Sequence, residues 1–226
     1  MFQLRPGPSA AADRPDRIAS LVFSTQNIHP TKRLGAWQAQ FEALNSVTVE
    51  EQDRARVSAR NENWMLGGMM FSTSTVSRAR FTRGAREVRR TGLDHWVIRV
   101  VRQGRNSMEV GGTTHALQPG RPFLFALDQR WVCDWDDAEW LSLCIPRDTF
   151  PELSAGLAGF GAGPLEGPGS SLLSDYLVLL EHRLRTGTAE EVPALAEATR
   201  AMLTACQLRG TRSLSVAPAD IRAAQM

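Results

Sequence analysis

The sequence predicts a mainly β domain, a sandwich or barrel of short strands, closed at its C-terminal end by a pair of helices. Three observations carry this. Between Trp64 and Pro146 the apolar residues recur with a period of two and are interrupted by glycine and proline turns. After Pro146 the period becomes helical and leucines gather on a stripe. Many short strands with frequent turns bury their apolar faces as a sandwich or barrel.

Taken in order, residues 1–30 read as a leader, partly disordered, because the first part is rich in Pro, Gly, Ala and Arg. Residues 31–150 are expected to form the barrel with an N-terminal helix. That helix, Thr31 to Leu44, sets Leu34, Trp37, Phe41 and Leu44 at helical spacing. Val47 to Val57 begins as a strand and turns polar. WMLGGMMFSTSTV reads as one strand loosened by Gly67-Gly68. His95 to Val101 alternates Trp96, Ile98 and Val100 with His95, Val97, Arg99 and Val101. Gly111-Gly112 joins Arg105–Val110 to Thr113–Leu117 as a hairpin, since a two-residue turn needs positive φ. Pro119-Gly120 makes the next turn, before the short strand Phe123 to Leu127. Trp131, Cys133 and Trp135 share a strand face; DDAE then turns the chain, and Trp140 to Ile145 returns as a hairpin partner.

Residues 151–226 are expected to be a linker and a helical hairpin. The glycine-rich GLAGFGAGPLEGPG is the linker. Ser171–Thr186 is the first helix, closed by Gly187. A Thr188-x-x-Glu191 capping box opens the second, which runs to a stop at Gly210. No internal repeat occurs.

Composition excludes several classes of function. A net charge of +2 is too small to argue for nucleic acid or an acidic membrane surface. The arginine run SRARFTRGAREVRR carries Phe81 as its one aromatic, and so reads as a solvated edge of the barrel. Cys133, Cys144 and Cys206 are odd in number and widely spaced, which fits buried thiols in a reducing compartment. No apolar run suits a signal peptide or a membrane span, so the expected location is the cytoplasm.

The residues offer no catalytic set, and no cofactor is expected. The histidines are His29, His95, His115 and His182, with no HxH, and Glu109 is the one carboxylate near His115 across the Gly-Gly turn. A metal-dependent enzyme of this shape needs several such ligands converging, so no tightly held transition metal is expected. No nucleophile elbow, phosphate loop or dinucleotide fingerprint occurs.

Strands followed by an αα-hairpin, together with RLGAW (Arg33 to Trp37), HWVIRVVRQG ending at Gly104, QPG before FLFAL, and LSLCIPRDTF, resemble the effector-binding and dimerisation region of AraC-type transcriptional regulators. The resemblance covers roughly Thr31 to Gln207. It implies a cupin-like β-barrel (jelly roll) followed by an αα-hairpin, a small-molecule effector in the barrel, and a homodimer through the C-terminal helices. It also implies DNA binding only through helix-turn-helix units, which this sequence lacks. The chain is then a truncated regulator or a standalone sensor, and alone it is expected not to bind duplex DNA specifically.

Trp64, Trp96 and Trp131 are candidate ligand-binding residues, since aromatic rings hold a small organic ligand at low entropic cost. His115 joins them, as does Arg102, placed by the Trp96–Val100 face at the barrel rim, where it resembles the strand-end arginine of some family members. Leu173, Leu177, Leu179, Leu180 and Leu184 spread too widely for one narrow seam and are the candidate dimer interface. Two alternatives stand beside this reading: a small cupin-type enzyme acting on an organic acid or sugar, and a dimerisation module whose barrel is filled with side chains.

Overall fold

The computed structural model describes residues 16–212. Its strands are β1 (Leu21–Ser24), β2 (Ser46–Thr48), β3 (Ala59–Leu66), β4 (Met69–Val76), β5 (Ala79–Arg83), β6 (Trp96–Val110), β7 (Thr113–Ala116), β8 (Pro122–Ala126), β9 (Trp131–Ile145) and β10 (Gly163–Pro164). The helices are α1 (Pro30–Phe41), α2 (Ala85–Thr91), α3 (Pro151–Ala158), α4 (Pro168–Thr186) and α5 (Val192–Arg212), and single 3-10 stretches occupy Glu51–Arg56 and Ala189–Glu191.

All strand pairings are antiparallel, along a path β1-β3-β4-β9-β6-β8-β10, with β5 on β9, β2 on β5 and β7 on β6. The hydrogen-bonded path does not close on itself, but it curls as a jelly roll. The long strands β6 and β9 run together over their whole length and are shared by both ends of the roll.

Each long strand changes phase at its middle. On β6 the residues facing the roll interior are Val97, Arg99 and Val101 before the change, and Met108 and Val110 after it. On β9 they are Trp131, Cys133 and Trp135, then Trp140 and Cys144. Irregular pairing falls between Val101 and Arg105, opposite Asp136–Ala138. There Gly104 has φ +89, and a Cβ on it would lie 2.6 Å from the Asp137 carbonyl oxygen. Asp137 itself has φ 45, a conformation aspartate tolerates better than most side chains. DDAE is therefore a bend inside one strand, not a turn between two. A bulge of this kind mimics a hairpin in sequence because it breaks the alternation.

Gly67-Gly68 errs in the opposite direction. It is the turn of the β3–β4 hairpin, with φ +54 and +90, and so carries the same signal as Gly111-Gly112. The span 1–30 is not all leader: β1 pairs with β3, and Ile18 and Phe23 are buried. The glycine-rich linker holds the end of α3, the β10 bridge and the start of α4. Glu191 accepts a hydrogen bond from the Thr188 backbone N–H (3.2 Å) as the second helix opens, and α5 passes through Gly210 without stopping.

Two cores result. One lies inside the roll, where α1 adds Trp37 against Phe81 (5.6 Å, edge-on). The other lies outside, where Trp64, Leu66, Phe71, Trp96, Ile98, Leu141 and Leu143 meet α3, α4 and α5. Both faces of the central strands are thus buried. Within α4, Leu173, Leu177, Leu180 and Leu184 are at most 2% exposed and point at the sheet, whereas Leu172, Val178 and Leu179 face outward. The first four stabilise the monomer's own core and are not available to a partner, a correction to their place in the expected interface. Each such leucine is worth about 1.5–3 kcal/mol on burial.

Candidate functional site

A cavity of about 70 Å³ remains inside the roll. Six strands build its walls. Asn61 and Asn63 of β3 and Ser72 and Ser74 of β4 supply amides and hydroxyls. Val97 and Arg99 of β6 and Trp140, Ser142 and Cys144 of β9 complete the floor. Phe81, Phe125 and Trp131 add rings, and the end of α1 with the following turn, Gln40 to Asn45, covers it.

The amides hold each other in place: Asn63 Nδ2 donates to Asn61 Oδ1, and Asn61 Nδ2 donates to Ser74 Oγ at 2.9 Å. The cover is pinned by Arg83, which is fully buried and donates to the carbonyl oxygens of Leu44 and Leu127 (2.7 Å for the latter) and to Thr91 Oγ1 (2.7 Å). Within the arginine run, Arg83 is therefore structural, while Arg78 and Arg80 pair at the surface with Asp136 and Asp134.

Arg99 is the one charged side chain of the lining, and it is not among the residues singled out from the sequence. It is 7% exposed, and Nε donates to Ser142 Oγ at 3.2 Å. Its guanidinium carbon lies 4.8 Å from the Phe125 ring centre, 5.1 Å from Trp135 and 5.3 Å from Trp140. The last two rings stack at 3.9 Å. Cation–π contacts of this kind return about 0.5–2 kcal/mol each, less than the several kcal/mol that burying an unpaired charge costs. Nη1 is buried with no hydrogen-bond partner. No carboxylate lines the cavity. Burial pushes the Cys133 and Cys144 thiols up to about 12, so neither offers a thiolate as counter-charge near neutral pH. The same burial lowers Arg99 itself, although guanidinium stays charged at any ordinary pH.

The candidate residues named from sequence separate. Trp131 lines the cavity. Trp64 and Trp96 face α3–α5; Arg185 sits over the ring of Trp64, and Trp96 Nε1 donates to Ser154 Oγ. His115, on β7, rests edge-on against Phe123 of β8. Arg102 does continue the Trp96–Val100 face, but that face lies under the helices, where it pairs with Glu139 (3.0 Å) and Glu181. Glu181 of α4 also binds Arg185 (3.0 Å), which reaches Glu62 of β3 and Thr73 Oγ1 of β4. A chain of charges therefore ties α4 to the strands whose other face lines the cavity. His29 and His95 lie just before α1 and β6, His115 on β7 and His182 on α4, and among the described residues no group of three or more His, Cys, Asp or Glu is placed to hold a metal. Among those residues, too, no helix is long and apolar enough to cross a membrane.

The family profile for the AraC-binding-like domain matches residues 38–208. The chain belongs to the AraC-binding-like domain family. This AraC-binding-like domain superposes on the AraC-like transcriptional activator CuxR with a TM-score of 0.74 and 23% identity, covering 91% of this chain and 73% of that one. Smaller portions superpose on KdgF from Halomonas sp. (TM-score 0.30, 18% identity, 39% of this chain and 81% of that one). The same holds for an RmlC-like cupin from Desulfovibrio desulfuricans (TM-score 0.30, 10% identity, 36% and 76%). No curated protein matches the sequence. The domain therefore belongs with regulatory sensing regions, and the superposition on CuxR takes in the C-terminal helices as well as the roll.

Proposed function

We propose that this AraC-binding-like domain is the effector-sensing and dimerising region of a cytoplasmic AraC-type transcriptional regulator, and not an enzyme. A small organic molecule occupies the cavity inside the roll. The observation that carries this reading is the placement of Asn61, Asn63, Ser72 and Ser142 on the cavity side of strands whose opposite side is tied to α4 through Glu62–Arg185–Glu181–Arg102. On one strand, Asn61 and Asn63 point in while Glu62 points out. A ligand that shifts β3 thereby shifts the partner of Arg185, and a site coupled to an element in two arrangements is what sensing requires. The outward residues of α4, Leu172 and Leu179, lie two turns apart on one face and pair with a second copy of the chain. DNA is then read by helix-turn-helix units outside this sequence.

The reading is tested by thermal melting against a panel of sugars, organic acids, amines and alcohols, on the wild type and on Ser72→Leu, which fills the cavity. Ligand at about 100 times its Kd adds about 2.7 kcal/mol, or roughly 5–10 °C for a domain of this size. A shift in the wild type that the variant loses supports the proposal. Stabilisation of both proteins equally, or of neither by any compound, contradicts it.

A further inference from the structure

We propose that the cavity is an anion site, and that its natural occupant is a small organic carboxylate bound by Arg99. The inference rests on the cavity being the sensor's ligand site and adds the chemical class of that ligand.

The unsatisfied groups point this way. Among the lining residues, the buried side-chain atoms without hydrogen-bond partners are two donors, Arg99 Nη1 and Trp131 Nε1, and one acceptor, Asn45 Oδ1. Ser142 Oγ accepts from Arg99 Nε, which leaves its hydroxyl hydrogen for an acceptor in the cavity. A cation and indole and hydroxyl donors around one space fit a group that only accepts, and guanidinium takes a carboxylate through paired N–H bonds. The lining contains no Asp or Glu to play that part from within. Both nearby thiols stay protonated. A buried guanidinium with ring faces but no counter-ion is costly to maintain, and it completes its pairing only when an anion arrives.

Size and shape narrow the class. An engineered apolar cavity of about 150 Å³ admits benzene; at about 70 Å³ this one suits an occupant of a few heavy atoms while its cover stays in place. Phe81, Phe125 and Val97 give such a ligand an apolar wall. A phosphate would need partners for three or four oxygens, more than the free donors here supply, whereas a carboxylate needs two oxygens served and an apolar remainder packed. A short-chain carboxylate meets all of these conditions.

The experiment is calorimetric and fluorimetric titration of the full chain with sodium propionate, propionamide and inorganic phosphate. Tryptophan emission reports on the Trp135–Trp140 stack beside Arg99. Propionate is expected to bind at least tenfold more tightly than propionamide. Arg99→Met is expected to fold, to melt no lower than the wild type in the absence of ligand, and to lose the propionate response. Arg99→Lys keeps the charge and is expected to retain a weakened response. Preference for propionamide, or equal binding of both, overturns the anion assignment while leaving the cavity as the sensor's site. Tighter binding of phosphate than of propionate overturns the carboxylate class. If neither these probes nor any member of the wider panel binds, the anion assignment and the sensing role fall together. A folded Arg99→Met protein that still responds to propionate removes Arg99 from the site.

Discussion

At the scale of single residues, Arg99 shows why the site was harder to read than the fold. In HWVIRVV its phase holds Val97 and Val101 and also His95, a mixed face that reads as the solvent side. The fully apolar phase, Trp96, Ile98 and Val100, reads as the interior. Both phases are buried, one beneath helices and the other around a polar-lined cavity, so the rule that apolar residues face the core does not say which phase lines the roll. Trp64, Trp96 and Arg102 lie on the phase beneath the helices, outside the roll. An arginine between two valines on a strand was the available signal. The cysteines were simpler, since odd number and wide spacing already indicated buried thiols, and Cys133 and Cys144 are indeed free and buried. They are expected to resist a soluble disulfide reagent at pH 8 in the folded protein and to react on unfolding. Their raised pKa values also give a pH dependence. A thiol held at about 12 when folded, against about 9 when unfolded, contributes stability that is complete below pH 9 and lost as pH rises towards 12. Denaturant titrations of the wild type and of Cys133→Ala/Cys144→Ala across pH 8–11 should show the steeper decline in the wild type. Parallel curves would contradict the assignment.

At the scale of elements, periodicity found the helices and most strands but misjudged where strands end. A Gly-Gly pair is a turn in both places it occurs, but WML and MMF flank Gly67-Gly68 without alternation, so from sequence that pair reads as a loosened strand. DDAE was the converse, a polar tetrapeptide that bends β9 without ending it. In α4 the leucine stripe was legible, but its direction was not, since sequence alone does not say which flank the sheet covers. The structure separates Leu180, 1% exposed, from Leu179, 57% exposed, and two substitutions test the difference. Leu180→Glu buries a charge in the outer core and is expected to cost at least about 4 kcal/mol, seen as loss of cooperative melting. Leu179→Glu is expected to fold normally and to sediment as a monomer at concentrations where the wild type is a dimer. A monomeric wild type, or a Leu179→Glu protein that remains dimeric, would exclude this face as the pairing surface.

At the scale of the whole molecule, the jelly roll and the helical pair were legible from the order of their periods, and the AraC-type resemblance rested on the same order. The connection between them was not legible. Glu62, Arg102, Glu181 and Arg185 lie far apart in sequence, and they meet because β3, β6 and α4 pack on one face. In the proposed function, that junction is where ligand occupancy inside the roll becomes a change on the helices outside it. The most direct test is amide hydrogen exchange across the full chain, with and without the panel compound that most raises the melting temperature, in the wild type and in Glu62→Gln. Occupancy is expected to change protection in β3 and in α4 together in the wild type, and in β3 but not α4 once Glu62 no longer holds Arg185 by charge. Changes confined to the strands of the roll in the wild type, with α4 untouched, would contradict the account.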